Sequence, residues 1–150
     1  MQLWIDRHTI LFVLGDVTFT VFAVSVIISY SGGWYNLSRR FRFRGRFQGR
    51  RWRCQNIQMR GIAGYHNCIT LGVSQQGLYL AVSLPLFRIA HPPLLIPWDE
   101  ISSMSGKLFF VKMAKLQLGR ESPVPLWIRV GLADKLKTAA GSKWPIERLG

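Results

Sequence analysis

The sequence predicts an α+β protein: one amino-terminal helix apolar enough to cross a bilayer, then a small antiparallel β-barrel or sandwich closed by a carboxy-terminal helix. Three observations carry this. Residues 10–31, ILFVLGDVTFTVFAVSVIISYS, contain a single charge, Asp16. From residue 52 onward, short apolar runs of period two alternate with turn residues. The late segment GLADKLKTAAG places Leu132 and Leu136 at helical spacing, with Gly141 as its stop. At 150 residues the chain holds one core, not two full domains.

As a helix, residues 10–31 would run about 33 Å, close to the roughly 30 Å hydrocarbon core of a bilayer. Its many β-branched residues disfavour helix in water, but in lipid a lone span must satisfy its own backbone hydrogen bonds. A transmembrane helix follows. A cleaved secretory signal is the competing reading, with Ser29 and Ser31 at a cleavage spacing. Against it, the leading tail sets Asp6 beside Arg7 and has no positive stretch, and the flank to be exported is rich in arginine. Positive charge beside an apolar span stays on the cytoplasmic side. The expected topology is therefore a short tail outside, everything from about residue 34 inside, and a single pass of a bacterial inner membrane. Asp16 is read as close enough to the end of the span to reach the interface, with contact to a partner helix as the alternative.

The stretch RRFRFRGRFQGRRWR, residues 39–53, holds eight arginines and no acid. It explains most of the net charge of +13, because the other 135 residues carry 12 basic and 7 acidic side chains. Arginine interleaved with aromatic rings suits an anionic lipid surface, where each basic residue contributes on the order of 1 kcal/mol. The same residue types suit nucleic acid. Position favours the membrane, since the arm begins eight residues after the span. Arg39, Arg40, Arg42, Arg44, Arg46, Arg50, Arg51 and Arg53, with Phe41 and Phe43, are the expected lipid- or partner-binding set. Trp34 and Tyr35 read as interfacial anchors. The domain plan is a tail and span over 1–33, a basic aromatic arm over 34–51 and a β domain over 52–150.

Strands are expected at RWRCQNIQMR, CITLGV, GLYLAVSL, LLIPW, KLFFVKM, AKLQLG and VPLWIRV. In GLYLAVSL, Leu78, Leu80, Val82 and Leu84 share one face. This order, and the phrases CITLGVSQQGLYLAVSLPLF, LLIPWDEISS and VPLWIRVGLADKLKTAA, resemble the pleckstrin-homology-like superfamily, particularly its bacterial and GRAM-type members. The resemblance covers about residues 52–141, and IPWDEI, residues 96–101, is its most specific phrase. The chain is also similar to short bacterial proteins with an amino-terminal span, a GGW motif and an HPPLLIPW phrase. The resemblance carries no activity over to this chain. Its basic residues near the first strands are confined to Arg50, Arg51 and Arg53.

Nothing in the residues themselves points to catalysis. His8, His66 and His91 are scattered without ligand spacing, so no metal is expected. Cys54 and Cys68 are expected to stay reduced on the cytoplasmic side. There is no nucleophile elbow, no phosphate-cradling loop and no dinucleotide fingerprint, hence no expected cofactor. Asp99 and Glu100 are adjacent and would face opposite ways on a strand, so they form no acid–base pair; Asp99 reads as a cap or turn residue. One surface candidate is SLPLFRIAHPPLLIPW, residues 83–98, whose prolines interrupt pairing. Leu86–Ala90 is expected to protrude, with Phe87 and Arg88 touching lipid or a partner; the alternative is that the loop folds back onto the core.

The expected function is a membrane-anchored, non-enzymatic adaptor presenting a cytoplasmic domain at an anionic leaflet. The alternative is an accessory subunit whose span packs on other membrane proteins through Asp16, Gly15 and Ser25. A nucleic-acid-binding protein is the third and weakest reading.

Overall fold

A computed structural model describes residues 6–108 and 110–147. Helix α1, Arg7–Ser31, is 25 residues long and is apolar enough to cross a membrane, lying near the amino terminus. At 1.5 Å per residue it measures about 37 Å. The first five and last three residues, including most of the expected outer tail, lie outside the described residues.

The chain leaves α1 through Gly32 and Gly33 and enters a second helix, α2, Trp34–Phe41. The first eight residues of the basic aromatic arm are therefore helical. The reason is legible in hindsight: Trp34, Leu37 and Phe41 recur at helical spacing, the first two buried and Phe41 packed on the core. Gly33 makes the corner possible, with φ of 84°, and an added Cβ there would lie 2.9 Å from both methyl carbons of Val124. Gly33→Ala should therefore cost at least about 1–2 kcal/mol from the left-handed backbone alone, read as a lower urea midpoint.

Seven antiparallel strands follow: β1 Arg50–Met59, β2 Ala63–Val73, β3 Gly77–Val82, β4 Leu94–Pro97, β5 Ile101–Leu108, β6 Val111–Leu118 and β7 Val124–Arg129. They form one curled sheet in the order β4-β3-β2-β1-β7-β6-β5, a half-barrel made of a four-strand and a three-strand meander. The two meanders join where Gln58 and Met59 of β1 pair with Trp127 and Leu126 of β7. Irregular register between Trp52 and Ile57, with Cys54 at φ 54°, bends β1 away from β7. Helix α3, Val130–Ala140, covers the gap with Leu132, Ala133 and Leu136. The core is the concave face, with Leu71, Leu80, Ile96, Leu116, Leu126 and Ile128 fully buried.

Two strand assignments need correction. KLFFVKM is not one strand but straddles the β5–β6 hairpin: Lys107 and Leu108 end β5, Val111–Met113 begin β6, Leu108 pairs with Val111 and Phe110 sits exposed at φ 68°; Phe109 lies outside the described residues. The strand before it, ISSMSGKL, is polar because its outer face is solvated, while Ile101 and Ser103 point inward. In the third strand, Leu78, Leu80 and Val82 are buried as expected, but pairing stops at Val82 and Leu84 is exposed.

Candidate functional site

The site begins where the proline-rich segment meets the apolar helix. Residues 85–88 form a short 3₁₀ turn that brings Ala90, His91 and Pro92 against α1. Ser29 Oγ donates to the Ala90 carbonyl at 2.7 Å, and Trp34 Nε1 donates to the Pro92 carbonyl at 3.0 Å. His91, only 2% exposed, hydrogen-bonds Ser25 Oγ through Nδ1 at 3.3 Å and Tyr65 Oη through Nε2 at 3.0 Å. Its ring also meets the edges of Trp34 and Tyr65. One imidazole thus ties the helix, the sheet and the loop together.

Burial holds His91 well below its usual range, at about 4, partly offset by a hydrogen bond with the Phe87 backbone. Burial likewise raises Tyr65, with a smaller contribution from Cys68. The ring is therefore neutral at pH 7, and both its nitrogens are engaged. A serine beside a histidine invites comparison with a hydrolytic pair; here the two ring nitrogens meet the hydroxyls of Ser25 and Tyr65, and Ser25 is itself buried. The arrangement is a packing lock. Among the described residues no three His, Cys, Asp or Glu side chains cluster to hold a metal ion.

Beside the lock lies a half-open apolar cavity of about 360 Å³. Val21, Val24 and Ile28 of α1 form one wall, and Cys68, Val82 and Phe87 of the domain form the other. Cys68 is half-buried and burial raises its thiol, whereas Cys54 is exposed.

The proline-rich loop combines the two expectations made for it. Phe87 turns inward against the core, while Leu84, Leu86 and Ile89 are exposed beside the end of α1, Ile89 to 72%. Arg88 is exposed, with Nε donating to the Val82 carbonyl. On the other side of α1, the Arg60–Ala63 turn packs against Gly32, and Arg60 donates to the Ser31 carbonyl.

The expected lipid- or partner-binding set is not one patch. Trp34, read as an interfacial anchor, is completely buried, because its indole N–H finds a carbonyl inside the junction. Arg39 and Arg40 lie in the last turn of α2, and Arg40 pairs with Glu121 at 3.3 Å. The chain then runs down the sheet: Arg42 bridges Leu94, Phe43 packs edge-on against Tyr79, and Phe47 stacks on Tyr79 over the bare backbone of Gly72. Phe41 packs on the core under the Arg40 guanidinium. Arg44 and Arg46 are exposed along this path. Arg50, Arg51 and Arg53 occupy the start of β1, at the opposite end of the strand from the Arg60 turn, up to about 30 Å away at 3.3 Å per residue. There Arg50 borders a shallow groove with Lys135 and Thr138 of α3.

Asp16 is exposed at the tenth residue of α1, about 13 Å from its amino-terminal end. Nine residues before Ser25, it faces the side of the helix opposite the domain. Ser25, named with it as a partner contact, is instead spent on His91. No sequence signal marks the lock, since residues 25, 65 and 91 share no local pattern. Compared with known proteins, the chain matches no family model and no curated protein.

Proposed function

We propose that this chain is a single-span, non-enzymatic membrane adaptor with a pleckstrin-homology-like domain on the cytoplasmic side, the short tail before α1 lying outside. The observation that supports it best is the absence of a free linker between α1 and the domain: the helix end is keyed into the fold by Ser25, Ser29 and Trp34. A span attached in this way holds the domain in a fixed attitude to the bilayer. The two meanders and the covering helix are the arrangement expected of such a domain. On this reading Leu84, Leu86 and Ile89 dip into the near leaflet, with Arg39, Arg40, Arg60 and Arg88 at anionic headgroups. Arg50, Arg51 and Arg53 face away from the membrane and present a basic surface to an acidic partner.

A second reading, an accessory subunit of a larger membrane complex, is favoured by Asp16 alone, which stands exposed on the free side of the helix. Purification in mild detergent separates the two. The adaptor reading predicts a partner that leaves in high salt. Replacing Arg50, Arg51 and Arg53 by Glu should weaken retention by roughly tenfold or more, since hydrogen bonds to charged groups are each worth about 1.5–3 kcal/mol. A partner that resists salt, ignores those changes and is lost on Asp16→Ala would make the chain a subunit.

Orientation has its own reporter, because Cys54 is exposed on the domain. In sealed cells a membrane-impermeant thiol reagent should leave Cys54 unmodified until the membrane is permeabilised. Modification before permeabilisation would place the domain outside.

A further inference from the structure

We propose that the cavity between α1 and the sheet is a lipid site, which takes one acyl chain of a bilayer lipid entering sideways from the leaflet beside the domain. This rests on the reading of α1 as a membrane span. The wall is almost wholly apolar: Ser25 and Tyr65 are engaged with His91 and Thr20 with the Asp16 carbonyl, while His66 is exposed. Such a wall offers water too few hydrogen-bond partners to hold it. The volume of about 360 Å³ lies within the range of small-ligand sites, about 300–1,000 Å³. A second helix, roughly 10 Å across with its side chains, is too wide to enter.

Location selects the occupant. The upper rim is Thr20, Val21 and Val24, seven to eleven residues before the end of α1 at Ser31, or about 10–16 Å up the helix axis. That depth belongs to hydrocarbon. The cavity is half open, so the apolar material at its mouth is lipid chain. Leu84 and Phe87 form its flank from the domain, and Leu86 and Ile89 extend the apolar surface outward from the same loop. A chain seated there would fill the gap between span and domain and strengthen their docking, so that the attitude of the domain becomes sensitive to lipid.

The test uses the full chain in vesicles of zwitterionic and anionic phospholipid, doped with a phospholipid carrying a diazirine near the end of one acyl chain. After illumination, labelled peptides are mapped. The proposal predicts label on Tyr65–Cys68 and on Val82, domain positions that lipid around a bare helix and the exposed loop would not reach. Val24→Trp should fill the mouth and reduce that label severalfold, while Leu14→Trp, higher on the same helix, should leave it unchanged. Cys68→Phe fills the cavity from the other wall and gives the same loss should Val24→Trp misfold. If the chain stays in the membrane through an alkaline wash but these segments are unlabelled, the lipid site is wrong and the span stands. Release by the alkaline wash sinks both. Cross-linking of the cavity residues to another protein would replace the lipid with a partner and also overturn the proposal.

Discussion

Trp34→Ala should lower the stability of the chain by about 3–5 kcal/mol, the usual loss when a buried tryptophan is truncated. The residue is fully buried where α1, α2 and the sheet meet, with Tyr65 and His91 around its ring. Truncation also leaves the Pro92 carbonyl without its donor. For a domain whose whole stability is of order 5–15 kcal/mol, this is a third or more. Urea unfolding of the full chain, followed by circular dichroism, should show a much lower midpoint with an unchanged slope. Trp34→Phe keeps most of the ring and loses the hydrogen bond, so its loss should be only about 1–3 kcal/mol. Equal midpoints for wild type and Trp34→Ala would mean that the junction does not form.

Stability should also fall in acid through His91. In the unfolded chain this histidine titrates near its ordinary 6.5, and in the folded chain at about 4. Above pH 6.5 the ring is neutral in both states and its contribution is fully present. Between 6.5 and 4 the unfolded chain takes up the proton first, so stability declines, and the loss is complete below 4. The difference corresponds to at most about 3 kcal/mol. Protonation would also turn a ring nitrogen that accepts a hydrogen bond into a donor, against Ser25 or Tyr65. The check is the pH dependence of the urea midpoint in wild type and His91→Gln, because carboxylates shared by both cancel in the comparison. A flatter profile for the variant between pH 4 and 6.5 is expected; superimposable profiles would remove His91 from the account.

How much of this was legible in the sequence differs by element. The apolar helix stood out because residues 10–31 carry a single charge, Asp16, and β7 because Val124, Leu126 and Ile128 alternate with outward residues. Strand β5 was hidden by serines that a solvated face tolerates, and the apolar run from Leu108 to Val111 drew one strand across the end of a hairpin. The arginine arm was read by composition as a single cuff, yet its charges divide between the two ends of the domain because β1 carries the last three away from α1. Trp34 was misplaced for a physical reason: a tryptophan just past an apolar span is usually interfacial, and only the fold supplies the carbonyl that buries it. The lock around His91 joins positions 66 and 26 residues apart, which no local pattern encodes.

Nitroxide labels placed singly at Ile89, at Gln76 in the β2–β3 turn and at Phe19 in α1 give the most direct test of the central claim. The chain would carry Cys54→Ser and Cys68→Ala and be reconstituted in anionic vesicles, with exposure to oxygen and to a water-soluble relaxant compared at each site. An adaptor keyed to its span places Phe19 in hydrocarbon, Ile89 at the headgroup boundary and Gln76 in water. A water-exposed Ile89 indistinguishable from Gln76 would mean that the domain hangs free of the bilayer, and a water-exposed Phe19 would mean that α1 does not span at all.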